Sequence, residues 1–200
     1  MEVTPVTLDG EYVRLEPLSA AHEEPLNVAA ADGELWNSTV TIVPGRDSMA
    51  TYISAALDAQ AQARELPFVI IRKSTNLVVG TTRFYFIEHE YRTVEIGYTW
   101  LAASVQRTEV NTEAKLLLLT HAFEHWKCIR VALVTDVLNQ QSQRAILRLG
   151  AKQEGILRNH MLRPGGRYRD SVLFSIIESE WPEVRARLET RLGQRFDAAP

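Results

Sequence analysis

Apolar positions along this chain alternate in short runs, shift twice to a helical period, and then repeat the cycle. Val6 to Pro17 alternates around Asp9-Gly10, with Val13 and Leu15 on one face, and predicts a first strand. Ser19 to Ala31 is rich in Ala and Leu behind a capping serine and predicts a helix. Asp32-Gly33 breaks it, and Trp36 to Arg46 is a loop carrying hydroxyls and Pro44-Gly45. Asp47 or Ser48 is then placed to cap a second helix through Met49, Ile53, Ala56 and Leu57. Strands follow at Pro67–Ile71, Leu77–Phe86 and Thr93–Leu101, the second and third joined by a turn over Glu88 to Arg92. A very apolar helix (Thr112 to Trp126), a strand (Arg130 to Asp136) and a helix opening at Asn139 come next. Ile156–Leu162 and Tyr168–Ile177 flank Arg163-Pro164-Gly165-Gly166-Arg167 and predict a hairpin. Ser179 is placed to cap a closing helix with Pro182 in its first turn and Val184, Leu188 and Leu192 inside.

Antiparallel hairpins followed by a strand–helix–strand step predict an α/β fold with a mixed central sheet and helices on both faces. With 200 residues, 46% of them apolar, one compact domain over 1–195 is expected, with 196–200 as a frayed tail. A net charge of −3 gives no global field for nucleic acid or an acidic membrane, and no apolar segment has the length of a membrane span. Cys128 stands alone, so neither a disulfide framework nor a cysteine-rich metal site is available; a small core residue is the simpler role. No basic stretch followed by an apolar run opens the chain, so a cytoplasmic protein without a bound metal is expected.

Three strings carry the chemistry. Glu95-Ile96-Gly97-Tyr98 precedes the turn Gln106-Arg107-Thr108-Glu109-Val110-Asn111; Asn111-Thr112-Glu113-Ala114-Lys115 and four leucines follow it. The third runs Asn139-x-x-Ser142-x-Arg144-Ala145-Ile146-x-x-Leu149-Gly150-Ala151-x-x-Glu154-Gly155. In this order the strings resemble the GNAT N-acetyltransferase superfamily, in the branch that includes RimJ/RimL-like enzymes, and the element order resembles the GNAT fold from end to end. The resemblance implies acetyl-CoA as co-substrate and direct acetyl transfer to a primary amine, either a protein N-terminus or a small metabolite. A non-catalytic acyl-CoA-binding or protein-interaction module on the same fold is the alternative. A homodimer is a further expectation, since a second copy would cover an exposed sheet edge.

For cofactor binding the resemblance points to Tyr98, Trp100, Leu101, the turn residues Gln106, Arg107, Thr108, Glu109, Val110 and Asn111, and then Asn139 and Ser142. Such a turn presents unpaired N–H groups at the positive end of a helix, which suits a pyrophosphate. Glu109 stands where the family has glycine. As a first-turn carboxylate it would gain about 0.3–1 kcal/mol from the helix dipole. Beside a pyrophosphate it would instead cost on the order of 1–4 kcal/mol, which Arg107, Arg144 or Arg148 could offset. Gly97 permits close ligand approach, or is a plain sheet glycine. No tyrosine lies between Asn139 and His160, so Ser142 takes the place of the family's acid beside the sulfur, or merely bonds at a helix start behind Asn139 as N-cap. Glu95 is the expected base, ahead of Glu154 and His89; alternation also allows it a plain polar-face role. Trp36, Tyr98 and Tyr168 are the expected acceptor contacts, beside the hairpin arginines.

Overall fold

A computed structural model describes residues 1–193; the tail expected at 196–200 lies outside the described residues. One eight-stranded sheet forms its centre, in the order β1-β2-β3-β4-β5-β6-β8-β7. The strands are β1 (Leu8–Asp9), β2 (Val13–Pro17), β3 (Leu66–Arg72), β4 (Leu77–Glu88), β5 (Thr93–Leu101), β6 (Arg130–Asp136), β7 (Lys152–Leu162) and β8 (Tyr168–Ile177). All neighbours are antiparallel except β5 and β6, as the strand–helix–strand order requires. The predicted first strand is in fact two, because the Glu113 carboxylate accepts the N–H groups of Glu11, Tyr12 and Val13 and holds the chain in a turn there.

The helices are α1 (Glu23–Ala31), α2 (Arg46–Ala61), α3 (Glu109–Thr120), α4 (Gln140–Leu149) and α5 (Trp181–Gly193). On β4, Thr81 meets Tyr52 of α2, whereas Phe84 stacks near Trp126 beyond α3. Alternation along a strand therefore places α2 and α3 on opposite faces of the sheet. Two predicted caps differ. Gly45 rather than Asp47 or Ser48 occupies the α2 N-cap, and Ser48 donates back to its carbonyl. Ahead of α5, the Glu180 carboxylate rather than Ser179 satisfies a free backbone N–H, that of Ile177. Helix α3 starts three residues before Thr112, since Thr108 caps it through the Val110 N–H at 3.3 Å, and a wider turn over His121–His125 finishes it. Cys128 is buried in the core, where loss of water pushes its thiol up to about 11, an unreactive state.

Candidate active site

Strands β5 and β6 pair only at Thr93, Val94 and Glu95 against Arg130, Val131 and Ala132. Beyond that they part. The cause lies on the other side of β5: between Gly97 and Trp100 it carries one more residue than β4, and Tyr98 sits at φ 51°. Such a bulge bends a strand and sharpens its twist, which here carries the end of β5 away from β6. A cavity of about 780 Å³ occupies the opening and passes through the sheet. Its walls include Gly97–Leu101 of β5, Leu133–Asp136 of β6, the start of α3 and the start of α4.

Gly97 is required by packing. A Cβ there would lie 2.6 Å from the Tyr85 ring, which fills the space beside it. Tyr85 and Tyr98 meet edge to face at 5.3 Å, and the Arg83 guanidinium lies 4.1 Å over Tyr98 while bonding Glu65 at 2.6 Å. Glu95, at the last paired position, does not line the cavity; its carboxylate sits behind it, beside the Tyr85 hydroxyl, and Tyr85 does line it. Burial pushes the Glu95 carboxyl above its ordinary value, against the opposing pull of Tyr85, His160 and Arg130. Glu154, the other carboxylate considered, is bound by Arg130, which holds it down to about 2, with Ser175 donating as well. It is thereby removed as a base.

Of the turn, Gln106, Arg107, Thr108 and Asn111 line the cavity, followed by Thr112 and Lys115 on the same helical face. Glu109 does not. It shares a stripe with Glu113 facing β2 and β3, and its carboxylate lies 3.8 Å from Arg72. Val110 is wholly buried in the core, so only its backbone belongs to the turn. The helical period turns the Glu109 carboxylate away from the face that carries Asn111. Arg144, Arg148 and Arg191 supply positive charge along the same wall, and the buried indole N–H of Trp100 has no partner among the described residues.

Asn139 caps α4, accepting from the Ser142 N–H at 3.0 Å, and its amide nitrogen donates to Thr41 in the loop before α2 at 3.2 Å. Both residues line the cavity. Trp36 and Tyr168 do not. In the tight turn at Leu35–Asn37, residues three apart share a side, so Leu35 and Ser38 face the cavity while Trp36 points out. Alternation along β8 sends Arg169 inward and Tyr168 outward, where it is 68% exposed.

Two lining residues were missed, Tyr85 and Lys115, whereas Arg169 is one of the expected hairpin arginines. The Lys115 ammonium lies buried under the opening, donating to Thr99 at 2.6 Å and Thr82 at 3.3 Å, and loss of water lowers its pKa to about 7. A lysine one helical turn past Asn111, in an otherwise leucine-rich face, was the signal available for it.

The family described as "Acetyltransferase (GNAT) domain" matches residues 13–152. The chain is 27% identical over 117 residues to "Uncharacterized N-acetyltransferase YoaA" of Bacillus subtilis, covering 58% of this chain and 65% of that protein. It is 32% identical over 102 residues to "Putative ribosomal N-acetyltransferase YdaF" of the same organism, covering 51% of this chain and 55% of that one. Each match thus spans less than two-thirds of the relative's own length. A crystal structure from T. thermophilus, described as a putative acetyltransferase, superposes with a TM-score of 0.84 at 34% identity, over 96% of this chain and 100% of that one. By the extent of the family match, and by the parted β5 and β6 of its sheet, this chain belongs to the GNAT acetyltransferase family.

Proposed function

We propose that this chain is an N-acetyltransferase that moves acetyl directly from acetyl-CoA to a primary amine. The observation that carries the reading is the opening between β5 and β6, with the N-terminus of α3 at its wide end. The donor set fits a CoA ester. The first-turn N–H groups of α3, with Arg107, Arg144 and Arg148, suit its phosphates, and the Trp100 indole N–H and the unpaired edges of the two strands suit its amide-bearing arm. The thioester supplies an activated acetyl group. The chain's own residues do the rest.

An amine entering beside Tyr85 must lose a proton to become a nucleophile. The Tyr85 hydroxyl and the Glu95 carboxylate behind it form a path for that proton, and the raised Glu95 value suits it to hold one. Backbone N–H groups near Gly97 and Tyr98, beside the bulge, would meet the acetyl oxygen; the left-handed Tyr98 supports this role. As the new N–C bond forms and the C–S bond breaks, Ser142 is the group set to pass a proton to the departing sulfur, taking in exchange the second proton that the nitrogen sheds; its hydroxyl bonds no protein group among the described residues. The test is thiol release from acetyl-CoA across a panel of amines. Release that depends on the amine supports transfer; acetyl-CoA binding with no release on any amine would point to a binding module instead.

A further inference from the structure

Positive charge gathers at the acceptor end of the cavity and is not balanced there. Asp136, buried at the end of β6, takes a hydrogen bond from Arg167 at 2.5 Å and lies 4.0 Å from Arg169. Burial works to raise its pKa, but Arg167, the Leu138 N–H and Arg169 together carry it below the usual carboxylate range, so it is one full negative charge. Arg163 is also buried, feels Asp136 at longer range, and makes no side-chain hydrogen bond among the described residues. The Arg169 Nε is buried and equally without a hydrogen-bond partner among them. Three guanidinium groups thus face one carboxylate.

The remaining charges nearby do not close the gap. Arg83 is matched by Glu65, Tyr85 and Tyr98 are neutral, and Glu95 is engaged with Tyr85, Arg130 and His160. Loss of water and mutual repulsion lower the pKa of both Arg163 and Arg169, the mark of cations held without enough counter-charge. Arginine nonetheless stays protonated. Buried cations in excess are costly unless something brings an anion to them. Arg163 and Arg169 both line the cavity, as do Met161, Leu162 and the loop residues Ser38 and Val40–Val43, so an anionic group on a molecule that enters there can reach them.

Resting on the acetyltransferase reading above, we propose that the acceptor is an amine that also bears a carboxylate, which Arg163 and Arg169 receive while the amine reaches Tyr85. The planar guanidinium fork matches a carboxylate in two bonds, and a substrate lacking it would leave the Arg163 guanidinium and the buried Arg169 Nε without a hydrogen-bond partner. That penalty is what gives a polar site its selectivity.

The test compares kcat/KM for matched pairs: small amino acids against their carboxamides, and peptides with aspartate in second position against those with asparagine. A preference of 10-fold or more for the carboxylate in either pair supports the proposal, and the responding pair shows whether the acid is free or peptide-borne. Arg163→Gln and Arg169→Gln should bring the ratio near one, mainly through KM, while Arg163→Lys keeps part of it. Equal or better use of both neutral partners overturns the proposal and leaves the acetyltransferase reading standing. If no amine is acetylated, calorimetric titration of the same pairs into protein saturated with CoA decides: tighter carboxylate binding, lost in Arg169→Gln, supports the site, and equal affinities overturn it.

Discussion

Strand β6 has two neighbours, and they treat it differently. Against β8 it is paired through seven residues, from Arg130–Ile177 to Asp136–Ser171; against β5 it is paired through three. The closed seam is packed by Leu133, Val172, Phe174 and Ile176, all buried. The open seam ends at Glu95, and beyond it stand a bulge, a left-handed tyrosine and a lysine under the sheet. One strand thus carries a closed edge and an open edge. Backbone groups left without a ladder partner are expensive unless something occupies them, so a seam that stops pairing inside a sheet points to a ligand.

That contrast predicts different losses on the two sides. On the closed seam, Phe174→Ala should lower unfolding free energy by about 3–5 kcal/mol, while turnover per folded molecule, measured after correcting for the folded fraction, stays within threefold. On the open seam, Gly97→Val drives a side chain into Tyr85 and should cut transfer by about 100-fold, a misplacement effect, with a much smaller loss of stability. Gly97→Val activity within a few-fold of wild type would mean that the Tyr85 position is not used.

Lys115 provides a subtler probe. Its folded pKa is lowered to about 7 from an unfolded value of 10.5, so between these the unfolded chain binds more protons and stability rises with pH. Urea unfolding at pH 7 and pH 9 should differ by about 2 kcal/mol from this residue. Lys115→Met should abolish that rise; a variant that keeps it would assign the slope to another group. Glu113, two residues earlier and also buried, makes the useful contrast, because its carboxylate takes three backbone N–H groups and serves only to hold the β1–β2 turn. The smallest effect belongs to Glu109→Gly. With its carboxylate toward Arg72, its removal should change acetyl-CoA affinity by about twofold or less, since the pair is worth only about 0–1 kcal/mol. A tenfold gain by calorimetry would put the carboxylate back beside the phosphates.

Much of this was legible in the residues. Alternation delimits β5 and β6 as Thr93–Leu101 and Arg130–Asp136, and both the Thr108 and Asn139 caps are local chemistry. What alternation does not encode is register. Bulges at Phe86, Tyr98 and Asn159 arise where one strand gains residues on its neighbour, and each re-aims the side chains after it. Tyr85 came to Glu95 by pairing across such a strand, so no spacing in the sequence announced it. Trp36 and Tyr168 stand outside the cavity for a plainer reason: their type suggested binding, but the turn and strand periods point them outward. The direction of Glu109 was available in principle, since it follows from the helix period once the Thr108 cap fixes where α3 begins.

The most direct measurement is backbone hydrogen exchange with and without acetyl-CoA, resolved along β5, β6 and β8. Slowed exchange is expected at Gly97–Trp100, at Leu133–Asp136 and in the first turn of α3, with β8 unchanged. Exchange at Gly97–Trp100 and Leu133–Asp136 that is indifferent to saturating acetyl-CoA would contradict this, because the open seam would then not be where the cofactor binds.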